Sequence, residues 1–385
     1  MFVPFLILRN AFRHKLRTAL TMVGIVVAIV AFGLLRTVVD AWYAGVNATS
    51  SARLMTRNAI SLVFPLPLNY AEKIRQVQGV RGVSWANWFG GVYITESNFF
   101  PQFAVEGKTY LDMYPEYHIP DEQRRAFLFD KTGAVAGRKL AERYGWKIGD
   151  QIPLRGTIFP GTWTFNLRAI YDGGESKVDE SQFFFHWSYL NETVKARFPR
   201  RADLVGLYVV EIADPGAAAE VSERIDNTFR NSLAETLTET EKAFQLGFVA
   251  MTEAILVAIQ AVSYVIVLII MAVMANTMAM TARERYSEYA TMKAIGFSNG
   301  FVATLIFLES VGIALAGGCL GVLVTLPLAE AFGSAMGTLF PVFFVSRETM
   351  LMQLAAALLV GVVAALIPAW RAAHVRIVDG LRSVA

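Results

Sequence analysis

The side chains best suited to bind a metal or act as a nucleophile are few and widely spaced. The four histidines, His14, His118, His186 and His374, form no pair at metal-ligand spacing. The only cysteine, Cys319, lies in an apolar run, so the sequence predicts neither a disulfide nor a thiolate metal site. We therefore expect no metal, no cofactor and no catalytic residue in this chain.

Two short stretches come close to phosphate chemistry, but each lacks a required residue. Residues 107–109 read Gly-Lys-Thr, like the end of a phosphate-binding loop, but Gln102 stands where the loop needs its earlier glycine. Residues 130–133 read Asp-Lys-Thr-Gly, like the phosphorylated motif of ion-pumping ATPases, but Ala134 follows where those pumps carry threonine. The sequence therefore predicts no nucleotide chemistry here, and any ATPase must be a separate chain.

Charged side chains are rare within the long apolar runs of the chain. Glu309 is the only acidic residue well inside a run, and one isolated glutamate gives weak support for an ion or proton relay. We therefore expect Glu309 to serve helix packing or an interface. Gly317 and Gly321 form a G-x-x-x-G pattern with Gly312 nearby, which predicts close packing between membrane helices.

Four apolar runs are long enough to cross a membrane, which takes about 20 residues. They cover residues 19–39, part of 248–280, 301–328 and 350–368. The first run is longer than the roughly 7–15 apolar residues of a cleaved signal peptide, so we expect it to remain as an anchor. Charged residues make up only 17% of the chain, and the net charge of +3 does not indicate nucleic-acid binding.

Lysine and arginine cluster in three segments that fall on one side of the membrane if the chain crosses four times. These are the N-terminus, the loop around Arg283, Arg285 and Lys293, and the tail after Arg371. Basic segments stay on the cytoplasmic side, so both termini are expected to be cytoplasmic. The predicted order is an amphipathic helix 1–18, spans 19–39, 247–280, 301–332 and 350–370, an outer domain with stalk 40–246, a cytoplasmic loop 281–300, an outer loop 333–349 and a tail 371–385.

The region between the first two runs reads as a soluble domain. Residues 58–64, 83–94 and 204–212 have strand patterns, and 68–77 and 217–229 have helix patterns. The expected fold is an α/β (α+β) extracytoplasmic domain with an inserted, mostly β subdomain at about 103–200. Residues 233–280 keep one apolar face, which favours a single helix rising from the membrane as a stalk. Two helices broken near Gly247 are the alternative.

Residues 283–297 read R-E-R-Y-S-E-Y-A-T-M-K-A-I-G-F and resemble the cytoplasmic loop of ABC transporter permeases of the MacB/FtsX family. Ser287, Tyr289 and Ala290 depart from the family pattern. Three further stretches, 8–25, 137–150 and 367–381, resemble the family's basic start, an outer-domain turn and the exit from the last span. The residues expected to couple to an ATPase are Glu284, Arg285, Glu288, Tyr289, Met292, Lys293 and Gly296.

Helical spacing places Tyr289, Met292 and Ile295 or Gly296 near one face of a short helix. Such a face can dock into a groove of a partner, with charge at its rim. A helix lying on lipid is the alternative.

The resemblance implies a non-catalytic permease subunit that works as two copies, identical or different, with two ATPase subunits that bind ATP and magnesium. ATP-driven motion would pass by mechanotransmission to the outer domain. We expect export, as in drug efflux, or extraction of an amphipathic drug, peptide, lipid or lipoprotein, with a periplasmic adaptor as a further partner. A membrane-anchored sensor or receptor and a hydrolase-activating subunit of FtsX type are the alternatives.

Overall fold

The computed structural model describes residues 15–374 except positions 48, 97, 175–177, 336–339 and 341. The predicted features before Lys15 and after His374 lie outside the described residues. The chain divides into two compact units. The helical unit comprises Met1–Ala41, Thr252–Ala335 and Phe343–Ala385, and the α/β unit comprises Trp42–Met251 and Met336–Val342.

The described residues form thirteen α-helices and thirteen β-strands. The α-helices are α1 Lys15–Trp42, α2 Ala44–Asn47, α3 Tyr70–Arg75, α4 Gly107–Met113, α5 Asp121–Phe129, α6 Arg138–Tyr144, α7 Trp187–Arg197, α8 Ala218–Thr228, α9 Glu241–Ala250, α10 Glu253–Glu284, α11 Tyr286–Ala294, α12 Asn299–Ala335 and α13 Arg347–Ala373. The strands are β1 Arg53–Asn58, β2 Leu66–Pro67, β3 Val80–Trp88, β4 Gly91–Val92, β5 Gln102–Val105, β6 Tyr117–His118, β7 Gly133–Gly137, β8 Gln151–Gly156, β9 Gly161–Gly173, β10 Phe183–His186, β11 Leu204–Val205, β12 Leu207–Ile212 and β13 Thr236–Thr240. Short 3₁₀ helices cover Pro199–Arg201 and Pro215–Ala217.

Four of the described helices, α1, α10, α12 and α13, are long and apolar enough to cross a membrane. They are 28, 32, 37 and 27 residues long, against about 20 residues for a bilayer core. This confirms the predicted class, a four-helix membrane protein with an α/β domain between its first two spans.

Small residues bring the spanning helices into close contact. A Cβ atom added at Gly317 would lie 2.9 Å from Ile25 Cγ2, and one at Gly321 would lie 2.8 Å from Ile29 Cγ2, so α12 approaches α1 at both glycines. At Gly312 an added Cβ would meet nothing within 4 Å. Gly312 therefore has no packing partner among the described residues of this chain, and its predicted role in helix packing stays a prediction.

A buried glutamine adds a polar connection between three spanning helices. The Gln353 amide in α13 donates to Ile29 O of α1 at 2.8 Å and to Thr325 Oγ1 of α12 at 2.9 Å. In a lipid environment such a group finds no water, and the neighbouring helices satisfy its nitrogen, while its oxygen has no partner among the described residues. The bond fixes the relative depth of the three helices.

The α/β unit is built on one long sheet with the order β13-β1-β12-β3-β5-β10-β7-β9-β8-β4. β1 is antiparallel to both β12 and β13, with Met55 opposite Val209 and Glu239. The inserted segment joins at β5, which pairs with β3 through Ala86 and Val105. The insert thus extends the same sheet, and it carries helices α4 to α7 as well as strands, so it is richer in helix than expected.

Two local predictions in the outer region are wrong. Residues 59–64 are turn, not strand, and Ile60 and Val63 are 82% and 85% exposed, so the apolar run there reflects a surface loop. The single stalk helix is also absent, because Thr236–Thr240 is strand β13 and pairs with β1. The following helix is interrupted at Met251 and Thr252, where Thr252 leaves helical geometry (φ −113°, ψ 8°), rather than near Gly247.

A buried ion cluster joins the two ends of the α/β unit. Glu241, the first residue of α9, accepts hydrogen bonds from Arg53 Nε at 2.8 Å and from Ser50 N at 3.1 Å. Arg53 also pairs with Glu116 at 2.5 Å and lies 4.2 Å from the centre of the Tyr114 ring. A buried guanidinium is tolerated only where charges and hydrogen bonds satisfy it, so this cluster holds the first and last segments of the unit side by side.

Candidate functional site at the loop helix

The predicted cytoplasmic loop contains a short helix, α11, which we call the loop helix. Its last residue is Ala294, and it is terminated by Gly296, whose φ of +108° is readily adopted only by glycine. The amides of Gly296 and Phe297 donate to Lys293 O and Met292 O at 3.0 and 3.1 Å. This pattern is a Schellman motif, which terminates the helix and satisfies its last carbonyls.

Arg285, at the start of the loop helix, connects it to α12. Its Nη1 lies 2.9 Å from Glu309 Oε2, and its Nε lies 3.0 Å from Glu288 Oε2. Arg285 is 5% exposed and Glu309 is 3% exposed, so the pair is shielded from solvent and lipid. Removing one partner of such a pair leaves an uncompensated buried charge. Glu309 therefore belongs to an ion pair within the chain.

Tyr289 packs beneath the Arg285 guanidinium, and the Cζ atom of Arg285 lies 5.4 Å from the centre of the Tyr289 ring. Tyr289 is 1% exposed. Burial raises the pKa of the Tyr289 phenol, so the ring stays neutral at physiological pH. The predicted docking face that included Tyr289 is therefore wrong, because this side chain points into the helical unit. Arg285 is enclosed in the same way and offers no surface to a partner.

Two further contacts connect residues 283–297, which we call the loop region, to other spans. Arg17 of α1 forms a two-point pair with Glu284, at 2.5 and 2.7 Å. Lys293 Nζ donates to Ala373 O, the last residue of α13, at 2.5 Å. Burial lowers the pKa of the Lys293 ammonium from its usual value. The loop region thus contacts α1, α12 and α13 and is continuous with α10.

The exposed apolar surface lies just beyond the loop helix. Ile295 is 75% exposed and Phe297 is 47% exposed, while Met292 is half-buried. The Phe297 ring stacks on Phe301 at 4.8 Å, which holds it in place. We call Ile295 and Phe297 the apolar tip. The docking face predicted from helical spacing comprised Tyr289, Met292 and Ile295 or Gly296. It included Ile295 of the apolar tip but not Phe297.

The two phosphate-like stretches have structural roles in the α/β unit. Gly107 begins helix α4, whose cap is Glu106, accepting from Thr109 N at 2.7 Å. Both oxygens of Asp130 accept hydrogen bonds, one from Thr132 N at 3.0 Å and the other from Arg168 Nε at 2.7 Å. A carboxylate held in this way is poorly placed to act as a nucleophile.

Comparison with known proteins gives two matches that together cover most of the chain. Residues 18–228 match the family model of the MacB-like periplasmic core domain, and residues 261–377 match that of the FtsX-like permease C-terminal domain. The first match covers more than half of the chain. The second includes the whole loop helix and the apolar tip.

Two relatives are both described as ABC transporter permeases. One, from Methanocaldococcus jannaschii, is 23% identical over an alignment of 397 residues, gaps included. The alignment covers 97% of this chain and 96% of the relative. The other, from Mycobacterium tuberculosis, is 24% identical over 269 residues and 67% of this chain, but the chain spans only 29% of that relative's length.

Two solved structures resemble the chain over about half its length. The extracellular domain of the ABC-type transporter YknZ from Gram-positive bacteria has 11% identity and a TM-score of 0.36, over 49% of this chain and 100% of that one. The periplasmic region of MacB from Actinobacillus actinomycetemcomitans has 8% identity and a TM-score of 0.38, over 53% and 95%.

Proposed function

Because the chain belongs to the ABC transporter permeases of the MacB/FtsX type, we propose that its loop region receives the motion of a separate ATPase and passes it to the spanning helices. A permease of this kind works with an ATPase subunit. ATP hydrolysis then takes place on that partner, and the outer domain moves in response. This motion drives the export or extraction of an amphipathic molecule.

One observation carries this proposal: the loop region is bonded to three spanning helices at once. Glu284 contacts α1 through Arg17, Arg285 contacts α12 through Glu309, and Lys293 contacts α13 through Ala373 O. A helix held only by lipid or solvent needs no such contacts. A force applied to this region would displace the spans together, because each bond would have to break for one span to stay behind.

The predicted coupling residues take two different roles in this proposal. Arg285, Glu288 and Tyr289 transmit the force, since they lie inside the helical unit or hydrogen-bond within it. The apolar tip contacts the ATPase, with Met292 beside it, and Gly296 sets the turn that exposes the tip. Fully burying an exposed apolar side chain contributes roughly 1.5–3 kcal/mol. Ile295 could provide most of this in a partner, and Phe297, already half-buried, about half.

The remaining partners and the location are also proposals. We place the protein in the bacterial inner membrane, as the match to the MacB-like periplasmic core domain suggests. We place both termini in the cytoplasm, because the basic segments fall on one side. A second copy of the permease completes the transporter, and lipid surrounds the spans. Large apolar side chains of α10, such as Val265, Leu268 and Ile269, are at least half exposed and suit either neighbour. An adaptor would bind the outer domain.

The first test separates contact from transmission. In Ile295→Asp/Phe297→Asp, co-purification of the cognate ATPase should fall at least tenfold, because two apolar contacts are lost and two charges must be desolvated. Ile60→Asp, at an equally exposed position in the α/β unit, is the matched control and should keep the ATPase bound. If the tip variant still co-purifies normally, the tip faces lipid and the ATPase binds elsewhere.

The second test addresses Arg285 and Glu309. The double variant Arg285→Met/Glu309→Leu replaces the ion pair by apolar side chains, so it should fold and bind the ATPase. ATP hydrolysis in nanodiscs should respond more weakly to the permease, because the ion pair to α12 is gone and only the polar contacts to α1 and α13 remain. Normal stimulation in this variant would remove the pair from the transmission path. If wild-type permease neither binds nor stimulates the ATPase, the chain acts as a sensor or receptor.

A further inference from the structure

The helical unit contains a cavity of about 180 Å³ between α1, α10 and α13. Phe32, Leu35 and Met352 form much of its apolar lining, and Gln260 and Ser263 of α10 also line it. Arg36 also lines the cavity. Arg36 lies in the last two turns of α1, so it places one cation at the margin of a mostly apolar space near the end of the span.

Arg36 is only partly satisfied by its neighbours. Its Nε lies 3.3 Å from Asp40 Oδ1, but it is inaccessible to solvent and forms no hydrogen bond in the described part of the chain. The other oxygen of Asp40 accepts hydrogen bonds from Ser346 Oγ at 3.1 Å and Thr349 Oγ1 at 2.7 Å, which fixes Asp40 at the start of α13. A guanidinium carries five N–H donors, so most of its bonding capacity is open to a ligand in the cavity.

We propose that this cavity binds an acidic phospholipid, with the headgroup phosphate on Arg36 and one acyl chain along the apolar wall. The ligand must reach the cavity from the membrane, because α1, α10 and α13 are spanning helices with apolar outer faces. Guanidinium and phosphate match in geometry and charge. The acyl chain fills space that the three helices leave empty, and its contacts replace the missing dispersion contacts.

This site lies apart from the loop region and goes beyond the proposed coupling. It depends on the helices spanning a membrane but not on any ATPase, so the two ideas can fail separately. A lipid held between α1, α10 and α13 would fill the gap between the helix that precedes the α/β unit and the helix that follows it. It also names a class of amphiphile, acidic and acyl-chained, that the helical unit can hold.

The experiment measures lipid binding to the delipidated full chain in a nonionic detergent. Native mass spectrometry follows titration with phosphatidylglycerol and with phosphatidylcholine of identical acyl chains. The wild-type protein should prefer phosphatidylglycerol by about fivefold or more. Both lipids carry the phosphate, but the choline of phosphatidylcholine adds a positive charge that Arg36 repels. Arg36→Gln should abolish this preference, whereas Arg347→Gln, at an exposed position on the first turn of α13, should keep it.

Two further variants test the charge beside Arg36 and the free volume of the cavity. Asp40→Asn removes the competing carboxylate but keeps an acceptor for Ser346 and Thr349, so phosphatidylglycerol should bind more tightly, by about fivefold. Ala355→Trp fills the cavity, so both lipids should bind less. Unchanged affinity in Arg36→Gln and in Ala355→Trp would overturn the proposal. A disulfide crosslink between two copies of Tyr264→Cys whose yield excess lipid does not lower would also overturn it, because a second copy would then occupy the cavity.

Discussion

The α/β unit fills much of its interior with large rings, whereas the helical unit combines aliphatic side chains with close contacts at small residues. In the α/β unit the core is crowded with large rings: Phe165 lies 4.4 Å from Phe185 and 5.6 Å from Phe183, centre to centre, and all three are fully buried. In the helical unit the contacts between α12 and α13 are made by residues such as Gly318 and Ala357, which leave no room between them for a larger side chain.

The difference follows from the solvent around each unit. Water rewards the burial of apolar area, so a soluble domain gains most from large rings. Lipid tails are as apolar as leucine, so spanning helices gain little from burying large side chains and are held by close backbone approach and polar contacts. The same chain therefore obeys two packing rules, which single substitutions can separate.

The largest effect is expected from removing a ring in the α/β unit. Phe165→Ala should lower the free energy of unfolding by about 3–5 kcal/mol, because it removes buried apolar area and leaves a cavity. Phe129→Ala, at a position that is 88% exposed, should change it by less than about 0.5 kcal/mol. Thermal unfolding followed by tryptophan fluorescence in detergent measures both. Equal effects would mean that the rings are not the main source of stability.

A core that depends on water should hold without the spanning helices. A fragment covering residues 50–251 should therefore unfold cooperatively on its own, whereas one ending at Asn231 should be less stable by about 2–4 kcal/mol. The shorter fragment lacks β13 and the hydrogen bonds that Asp226 accepts from Thr236 and Thr238, at 2.7 to 3.0 Å. Urea denaturation compares the two. Similar midpoints would show that β13 contributes nothing to the unit.

Replacing single glycines of α12 by leucine should show where the helical unit depends on close backbone packing. Gly318→Leu should destabilise the helical unit by about 1–3 kcal/mol or more, because the side chain would overlap Ala357 and push α12 from α13. Gly312→Leu lies on the same helix with open space around it and should be tolerated. The thermal midpoint in detergent measures both. If Gly312→Leu is as harmful, that glycine packs against another copy.

The smallest effect concerns pH and belongs to the α/β unit alone. Burial opposes ionisation of Asp130, but hydrogen bonds from Arg168, Asn166 and Thr132 outweigh it and lower the pKa of its carboxyl to about 2. The ordinary value is near 4, so the stability that Asp130 contributes is present above about pH 4 and is lost as pH falls through about 2. The melting temperature of Asp130→Asn should therefore fall less between pH 5 and pH 2.5. An identical fall would exclude Asp130.

The main architecture was predictable because its signals are local. Long apolar runs mark the spans regardless of tertiary contacts, and the family matches confirm the resemblance that the stretch 283–297 suggested. The loop's ending at Gly296 was also visible, since a helix commonly stops at glycine. Its packing was not, because helical spacing shows which residues share a face but not which face is buried.

The errors arise where a distant residue decides the structure. Thr236–Thr240 pairs with β1, and the partners Met55 and Glu239 are far apart in sequence, so the helical spacing of nearby leucines was misleading. Arg285 finds its counter-ion, Glu309, on the next spanning helix. Glycine spacing likewise could not distinguish Gly312 from Gly317, because only the neighbouring helix does so.

The cluster of Ser50, Arg53 and Glu241 makes the α/β unit a cassette. Its two ends meet within one side-chain length, since Ser50 N and Arg53 Nε both donate to the Glu241 carboxylate. An insertion with adjacent ends can be exchanged or removed with little change to its host, because a few linker residues close the gap at small entropic cost. Grafting the segment between Ser50 and Glu241 into another permease should transplant its outer specificity while leaving the host helices to assemble as before.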